Sequence, residues 1–304
     1  MTPESSFTSS RRPYVLALGA VALWSTVASA FKLTLQYLTP AQLLMVASVV
    51  SCLTLGTLLL LRGQLGEVRH LSRGQRWRSV WLGLLNPALY YWILLQAYDR
   101  LPAQEAQALN YTWALVLTYL AVPLLGQRLR WTDIVAGGIC YGGVLVVATK
   151  GRPWSMEFAD PVGTALALGS TIVWALYWIY NTRDEVNPVL RLFLNFLCSL
   201  PWIITLVVVE NSPWPTTWQG WAGGAYVGMF EMGITFVLWL SALRLASNAS
   251  RVSNLIFLSP FVSLLLIGRL VGEQVLASTW LGLVLIIGGL GVQRWGARSA
   301  ELEG

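Results

Sequence analysis

Charge is scarce in this sequence. Only 11% of its 304 residues are Asp, Glu, Lys or Arg, where soluble domains carry roughly 25%. A chain that is also 56% hydrophobic, with a mean hydropathy of +0.60, would expose too much apolar surface in water. Histidine is nearly absent: His70 stands alone. The three cysteines, Cys52, Cys140 and Cys198, fall inside apolar runs with neither metal-ligand spacing nor a disulfide framework, so they read as buried packing residues. No Walker loop, HExxH pair or Cys/His cluster occurs. The longest loop, roughly residues 62–76, is too short to carry a catalytic domain. These absences exclude metalloenzyme and ATPase chemistry, and no enzyme activity, cofactor or metal is expected. The net charge of +6 is spread over short loops, as topology determinants are, and gives no nucleic-acid surface.

What the sequence has in quantity is long apolar runs. Ten are read at 14–33, 40–61, 77–98, 103–125, 131–149, 161–181, 187–209, 218–243, 248–270 and 278–295. Each is about 20 residues, enough to cross ~30 Å of hydrocarbon at 1.5 Å per residue. Lipid cannot satisfy open backbone groups, so the runs must be helices and the chain an all-α polytopic membrane protein. The first run, with Arg11-Arg12 before it and Ala28-Ser29-Ala30 near its end, imitates a signal peptide. It is read as a span instead, because it opens a repeat.

The stretch Leu16–Trp24 returns as Leu166–Trp174, with Leu16, Ala17, Leu18, Gly19 and Trp24 matched by Leu166, Ala167, Leu168, Gly169 and Trp174. Further echoes follow: Arg100, Leu101 and Asn110 with Arg244, Leu245 and Asn254; Gly83 with Gly228; Gly142-Gly143 with Gly288-Gly289. The chain therefore divides into residues 1–152 and 153–304, five helices each, forming one membrane domain. Five is odd, so the second half enters the bilayer upside down, as a 5+5 inverted-topology repeat. With the N-terminus in the cytoplasm, only Lys32, Arg100, Lys150, Arg152 and Arg269 of the 20 basic residues fall outside, which favours both termini inside.

Glu231 stands out, in the middle of the eighth run between Phe230 and Met232. A carboxylate at that depth costs about 2.5–3.5 kcal/mol on translocon scales, so it should face a cavity or a partner, or be a structural carboxyl bonded between helices. Asn86, followed by Pro87, is its counterpart in the third run. Helical spacing extends these sites into faces: Asn86 with Tyr90; Glu231 with Thr235 and Trp239; Trp24 with Ala28 and Lys32; Ser170 with Trp174, Tyr177 and Asn181. Asn110 and Trp113 share a face of the fourth run, with Asn254 the mate of Asn110 in the ninth. Any one stripe is what helix packing produces; four in a duplicated bundle point to a polar, aromatic cavity. Lys32, Asp99, Glu105 and Asp133 read as solvated or snorkelling charges at helix ends. Pro87, Pro123, Pro201 and Pro260 are candidate hinges, and Gly138 and Gly142 form a GxxxG suited to close helix packing.

Leu23-Trp24-Ser25-Thr26, Asn110-Tyr111-Thr112-Trp113 and Gly272-Glu273, within a ten-helix duplicated chain, resemble the EamA family of the drug/metabolite transporter superfamily. Within it the chain is most similar to the YddG-type aromatic amino-acid exporters. Gln127 stands in the first half where the second has Glu273. The resemblance implies a central cavity walled by helices 1, 3, 4, 6, 8 and 9, with roles for Trp24, Tyr90, Asn110, Trp113, Trp174, Glu231 and Asn254. Together with Asn86, Tyr177 and Trp239 these are the candidate substrate-binding residues. The function it implies is export of aromatic and other neutral amino acids across a bacterial inner membrane by alternating access; a multidrug exporter of lipophilic cations or other small metabolites is the alternative. The partners expected are the amino-acid substrate and the lipid bilayer, for a monomeric chain.

The topology is testable by site-directed labelling. Single cysteines placed at 64–75 should react only from the cytoplasmic face, and those at 153–158 only from the opposite face. Reaction of both loops from one face would remove the inverted reading.

Overall fold

Hydropathy dictates most of the architecture. The computed structural model describes residues 11–154, 158, 160–181, 186–246, 252 and 254–303, with side chains through 296. Ten helices among the described residues are long and apolar enough to cross a membrane. They are α1 (Arg12–Thr34), α2 (Pro40–Leu61), α3 (Arg73–Arg100), α4 (Ala103–Leu125), α5 (Trp131–Ala148), α6 (Pro161–Asn181), α7 (Pro188–Glu210), α8 (Trp218–Leu245), α9 (Asn254–Val271) and α10 (Ala277–Gly296, continuing to Glu303). The expected runs agree with these to within a few residues. The expected start of the ninth, at 248, and Arg183 and Arg251 lie outside the described residues. Side-chain caps fix several starts: Thr39 and Gln42 cap α2 reciprocally, and Ser72 and Gln75 do the same for α3.

Short connections make successive helices antiparallel. The packing partners occur in exchanged pairs. α1 lies on α8 and α9, and α6 on α3 and α4; α2 lies on α8, and α7 on α3; α2 packs on α7, and α5 on α10. The two sets of five thus interleave rather than forming separate bodies.

Four helices are not continuous. In α3 the backbone widens into a π-helical turn at Leu84–Leu89, where Asn86 leaves helical geometry (φ −144°, ψ 116°) ahead of Pro87. In α8 a π-helical stretch covers Val227–Ile234 and contains Glu231. α4 breaks after Asn110 and resumes at Trp113. α9 starts as a 3₁₀ turn at Asn254–Leu258 and ends in a π turn at Ile267–Val271. Uniform periodicity anticipated none of these except through Pro87. Pro123 and Pro201 sit inside α4 and α7 segments that continue past them, and Pro260 opens the regular part of α9.

The close packing of α5 on α10 depends on glycine. A β-carbon at Gly143 would lie 2.6 Å from Gly282 O, and one at Gly282 would lie 2.7 Å from Gly143 O. Gly138 and Gly142, the GxxxG pair, meet nothing within 4 Å and take no part in this contact. Gly143→Ala should therefore cost about 1–3 kcal/mol through forced separation of two backbones. Gly142→Ala should be neutral or stabilise by up to about 1 kcal/mol. Melting temperatures of the two variants in detergent decide this, and indistinguishable values would show that the α5–α10 contact is looser than described.

Candidate functional site

The breaks in α3, α4 and α8 all border one cavity of about 370 Å³, enclosed mainly by α1, α3, α4, α6 and α8. That volume lies in the range of small-molecule sites. Trp24, Tyr90, Asn110, Trp113, Trp174, Glu231 and Trp239 line it. Asn86, Tyr177 and Asn254 do not.

Two aromatic groups form its walls. From α3, α4 and α6, Tyr90 stacks on Trp174 (4.4 Å between centroids, 28°), and Trp113 meets the Trp174 edge at 6.5 Å and 89°. Tyr177 also stacks on Trp174, at 5.6 Å. It is buried there, accepting a bond from Asn195 Nδ2 at 3.3 Å, and so backs the wall. From α1 and α8, Trp24 packs edge-on against Phe236 and Trp239, each at 5.5 Å. Such pairs add about 0.5–1.5 kcal/mol beyond burial and fix ring orientation.

The polar groups are few. Glu231 Oε1 accepts a bond from Tyr91 OH at 3.0 Å, and the Trp24 side chain also bonds the carboxylate. Tyr90 OH donates to Asn110 Oδ1 at 3.4 Å, and Asn110 Nδ2 donates to Ser170 Oγ at 3.0 Å. The Asn110 amide thus ties α3 to α6 across the break in α4. Thr112 Oγ1 donates to Leu109 O at 2.8 Å, and Thr235 Oγ1 donates to Phe230 O, so each hydroxyl adds a bond to a carbonyl that a backbone amide also reaches. Asn86 is 1% exposed, in the turn where α3 crosses α7, and its Oδ1 has no partner among the described residues.

One end of the cavity is shut. Phe31, Tyr91 and Tyr98 are almost fully buried, with Phe31 and Tyr98 5.2 Å apart. Beyond them Lys32 Nζ donates to Tyr98 O, Asp99 O and Leu101 O at 2.8, 3.3 and 2.9 Å. Glu273, after α9, accepts from Ala103 N at 2.7 Å and Gln104 N at 3.3 Å, capping the start of α4. The Gln104 side chain donates to Gln274 O and accepts from Leu276 N and Thr279 Oγ1. Glu105 and Asp133 depart from the expected solvated end charges: they are 2% and 6% exposed, and Glu105 faces Lys150 at 3.8 Å. Asp133 caps α5 through Arg130 N.

The opposite end is open, toward the start of α1 and the end of α10. Leu117 and Ile256 are part-exposed there, and exposed Arg294 of α10 lines the mouth. Arg294 donates to Asn254 Oδ1 and lies 4.4 Å over the Phe257 ring. Asn254 is therefore a mouth residue, holding a guanidinium. The sequence reading missed Arg294, which it counted as a topology charge, and Tyr91, Tyr98, Tyr111, Gln107, Trp178 and Phe236 in the walls. For Tyr91 a signal existed: a turn widened at Pro87 advances the α3 face by about one residue, so Tyr91 joins Tyr90.

A family model of EamA-like transporters matches the chain twice, at residues 11–149 and 161–293. The chain belongs to the EamA-like transporter family. Among curated proteins, Protein PecM of Dickeya dadantii (strain 3937) is 30% identical over 286 residues, covering 90% of this chain and 89% of PecM. The uncharacterized transporter YvbV of Bacillus subtilis (strain 168) is 23% identical over 245 residues, 77% of each chain. A crystal structure with 21% identity shares the fold, with a TM-score of 0.67 over 94% of this chain and 98% of the other. This EamA-like transporter is thus a multi-pass membrane protein with two repeated halves, and its cavity is a chamber reached from one end.

The shape of that chamber can be probed by thiol access in a cysteine-free background. Leu117→Cys and Ile256→Cys should react readily with a membrane-impermeant reagent added on the face where α1 begins. Ala28→Cys, 3% exposed near the shut end, should react far more slowly from either face. Equal rates at the three positions would mean the chamber is open throughout.

Proposed function

We propose that this EamA-like transporter exports amino acids, aromatic and other neutral ones, across a bacterial inner membrane, with both termini cytoplasmic. The observation that carries the reading is one cavity joining a single carboxylate, Glu231, to walls of tryptophan and tyrosine. Glu231 receives the substrate ammonium, and Trp24, Trp113 and Trp174 enclose its side chain. Asn110 holds Tyr90 in place and offers its amide to the polar end. Arg294 at the mouth attracts the carboxylate of an arriving substrate. Five helices in each repeat place the halves in opposite orientation, so the same contacts that shut one end can be remade at the other in alternating access. The mouth then faces the cytoplasm, the loading side for an exporter.

A lipophilic-cation exporter would use the same carboxylate and rings through cation–π contacts. The guanidinium at the mouth opposes that reading, since it repels cations on the path to Glu231.

Counterflow in proteoliposomes across a panel of amino acids and lipophilic cations, with and without a pH gradient, tests both. Amino-acid counterflow without cation transport supports the proposal, and the reverse result replaces it. Glu231→Gln should abolish most transport while expression stays normal. Trp113→Ala should raise the half-saturation for phenylalanine by about 2- to 13-fold, the value of one aromatic pair, and leave threonine nearly unchanged. Equal losses for both substrates would remove the aromatic wall from the argument.

A further inference from the structure

A second concavity, of about 550 Å³, lies away from the transport chamber, between the start of α3, the preceding 3₁₀ turn (Leu65–His70) and α7. Its floor is apolar, built on Leu194 and Cys198 of α7 with Val80 of α3. Its rim carries three arginines, Arg69, Arg73 and Arg76, and the 57% exposed Trp77. None of these arginines has an ion-pair partner among the described residues. The one acid of this loop, Glu67, is not in the lining.

The rim is held in place by its own hydrogen bonds. Arg76 Nε donates to Leu71 O at 3.1 Å and its Nη2 to Arg69 O at 3.4 Å, and the Ser72–Gln75 cap closes the turn. Beneath it, Arg191 of α7 is 2% exposed and donates to Gln75 O at 2.9 Å and to Ser79 Oγ. A fourth positive charge therefore underlies the groove. Nothing in amino-acid transport calls for a greasy slot under a cationic rim, and the groove shares no lining residue with the chamber. We infer that the groove binds one anionic phospholipid, its phosphate on Arg69, Arg73 and Arg76 and an acyl chain along Leu194, Val80 and Cys198. The pairing of chemistries selects a lipid. A free anion would leave the apolar floor bare, and a zwitterionic lipid would leave the net charge of the rim uncompensated. Trp77 at the edge is where an interfacial ring belongs, beside a headgroup. Basic pockets between helix ends on the cytoplasmic side are the setting in which acidic headgroups are held.

The test uses the full chain in phosphatidylcholine vesicles in which a small, equal fraction of lipid is brominated phosphatidylglycerol or brominated phosphatidylcholine. Tryptophan quenching is read, and the Trp77 share is taken as the difference from Trp77→Phe. Brominated phosphatidylglycerol should quench that share at a lower mole fraction than brominated phosphatidylcholine does. Each basic residue at a membrane surface contributes about fivefold, so Arg69→Gln with Arg73→Gln should shift the midpoint for the anionic lipid about 30-fold upward. These two changes leave every loop-closing bond intact, and unchanged quenching by the neutral lipid shows that the variant is still inserted. Equal quenching by both lipids in the unmodified chain, or a midpoint that does not move in the double variant, overturns the inference. Loss of the excess on adding inorganic phosphate at constant ionic strength would assign the rim to a free anion and also overturn it. Because the readout is lipid binding, its outcome is independent of which substrate the chamber carries.

Discussion

Hydrocarbon offers no partner to a backbone amide or carbonyl, and that single constraint governs where this structure is regular and where it is not. Ten spans are helical because they must be. The helices depart from regularity around the chamber, where side chains and neighbouring helices can take up the freed groups. Thr112 and Thr235 each add a hydroxyl bond to a carbonyl beside a break, Leu109 O and Phe230 O. The same breaks put polar groups inside apolar spans. Asn110 ends one segment of α4, Glu231 lies within the π stretch of α8, and Tyr90 and Tyr91 follow the break in α3.

Within the chamber, burial and hydrogen bonding divide the work. The rings supply area and fixed geometry, with Tyr90, Trp174 and Tyr177 stacked in series. The polar groups are mostly committed to holding those rings: Asn110 to Tyr90 and Ser170, and Asn195 to Tyr177. Glu231 is itself held, by Tyr91 and by Trp24.

The number and limits of the spans were legible because hydropathy over about 20 residues reads the solvent directly, whatever the neighbours do. The repeat was legible from Leu16–Trp24 and Leu166–Trp174. Side-chain phase was less so. Counting in fours from Asn86 assumes an unbroken helix, and the widened turn at Pro87 spoils the count; Asn86 is buried off the chamber while both Tyr90 and Tyr91 border it. Long-range partners were not legible at all. Arg294 carries the same signal as any loop arginine, and only the fold sets it beside Asn254 and Phe257. Gly138 and Gly142 match a packing motif, yet the contact is made by Gly143 and Gly282, which no spacing rule selects.

The shut end of the chamber is fastened largely to main-chain atoms. Lys32 binds three carbonyls where α3 ends and the α3–α4 link begins, and Glu273 binds two amides at the start of α4. Carbonyls and non-proline amides exist whatever side chains the link carries. The link is therefore free to change its sequence over evolutionary time while its fastening persists, provided proline stays out of the two donor positions. The burden of inheritance falls on Lys32 and Glu273, one from each half of the duplicated chain. A lineage could diversify the lining of its chamber, and hence its cargo, without having to reinvent the closure.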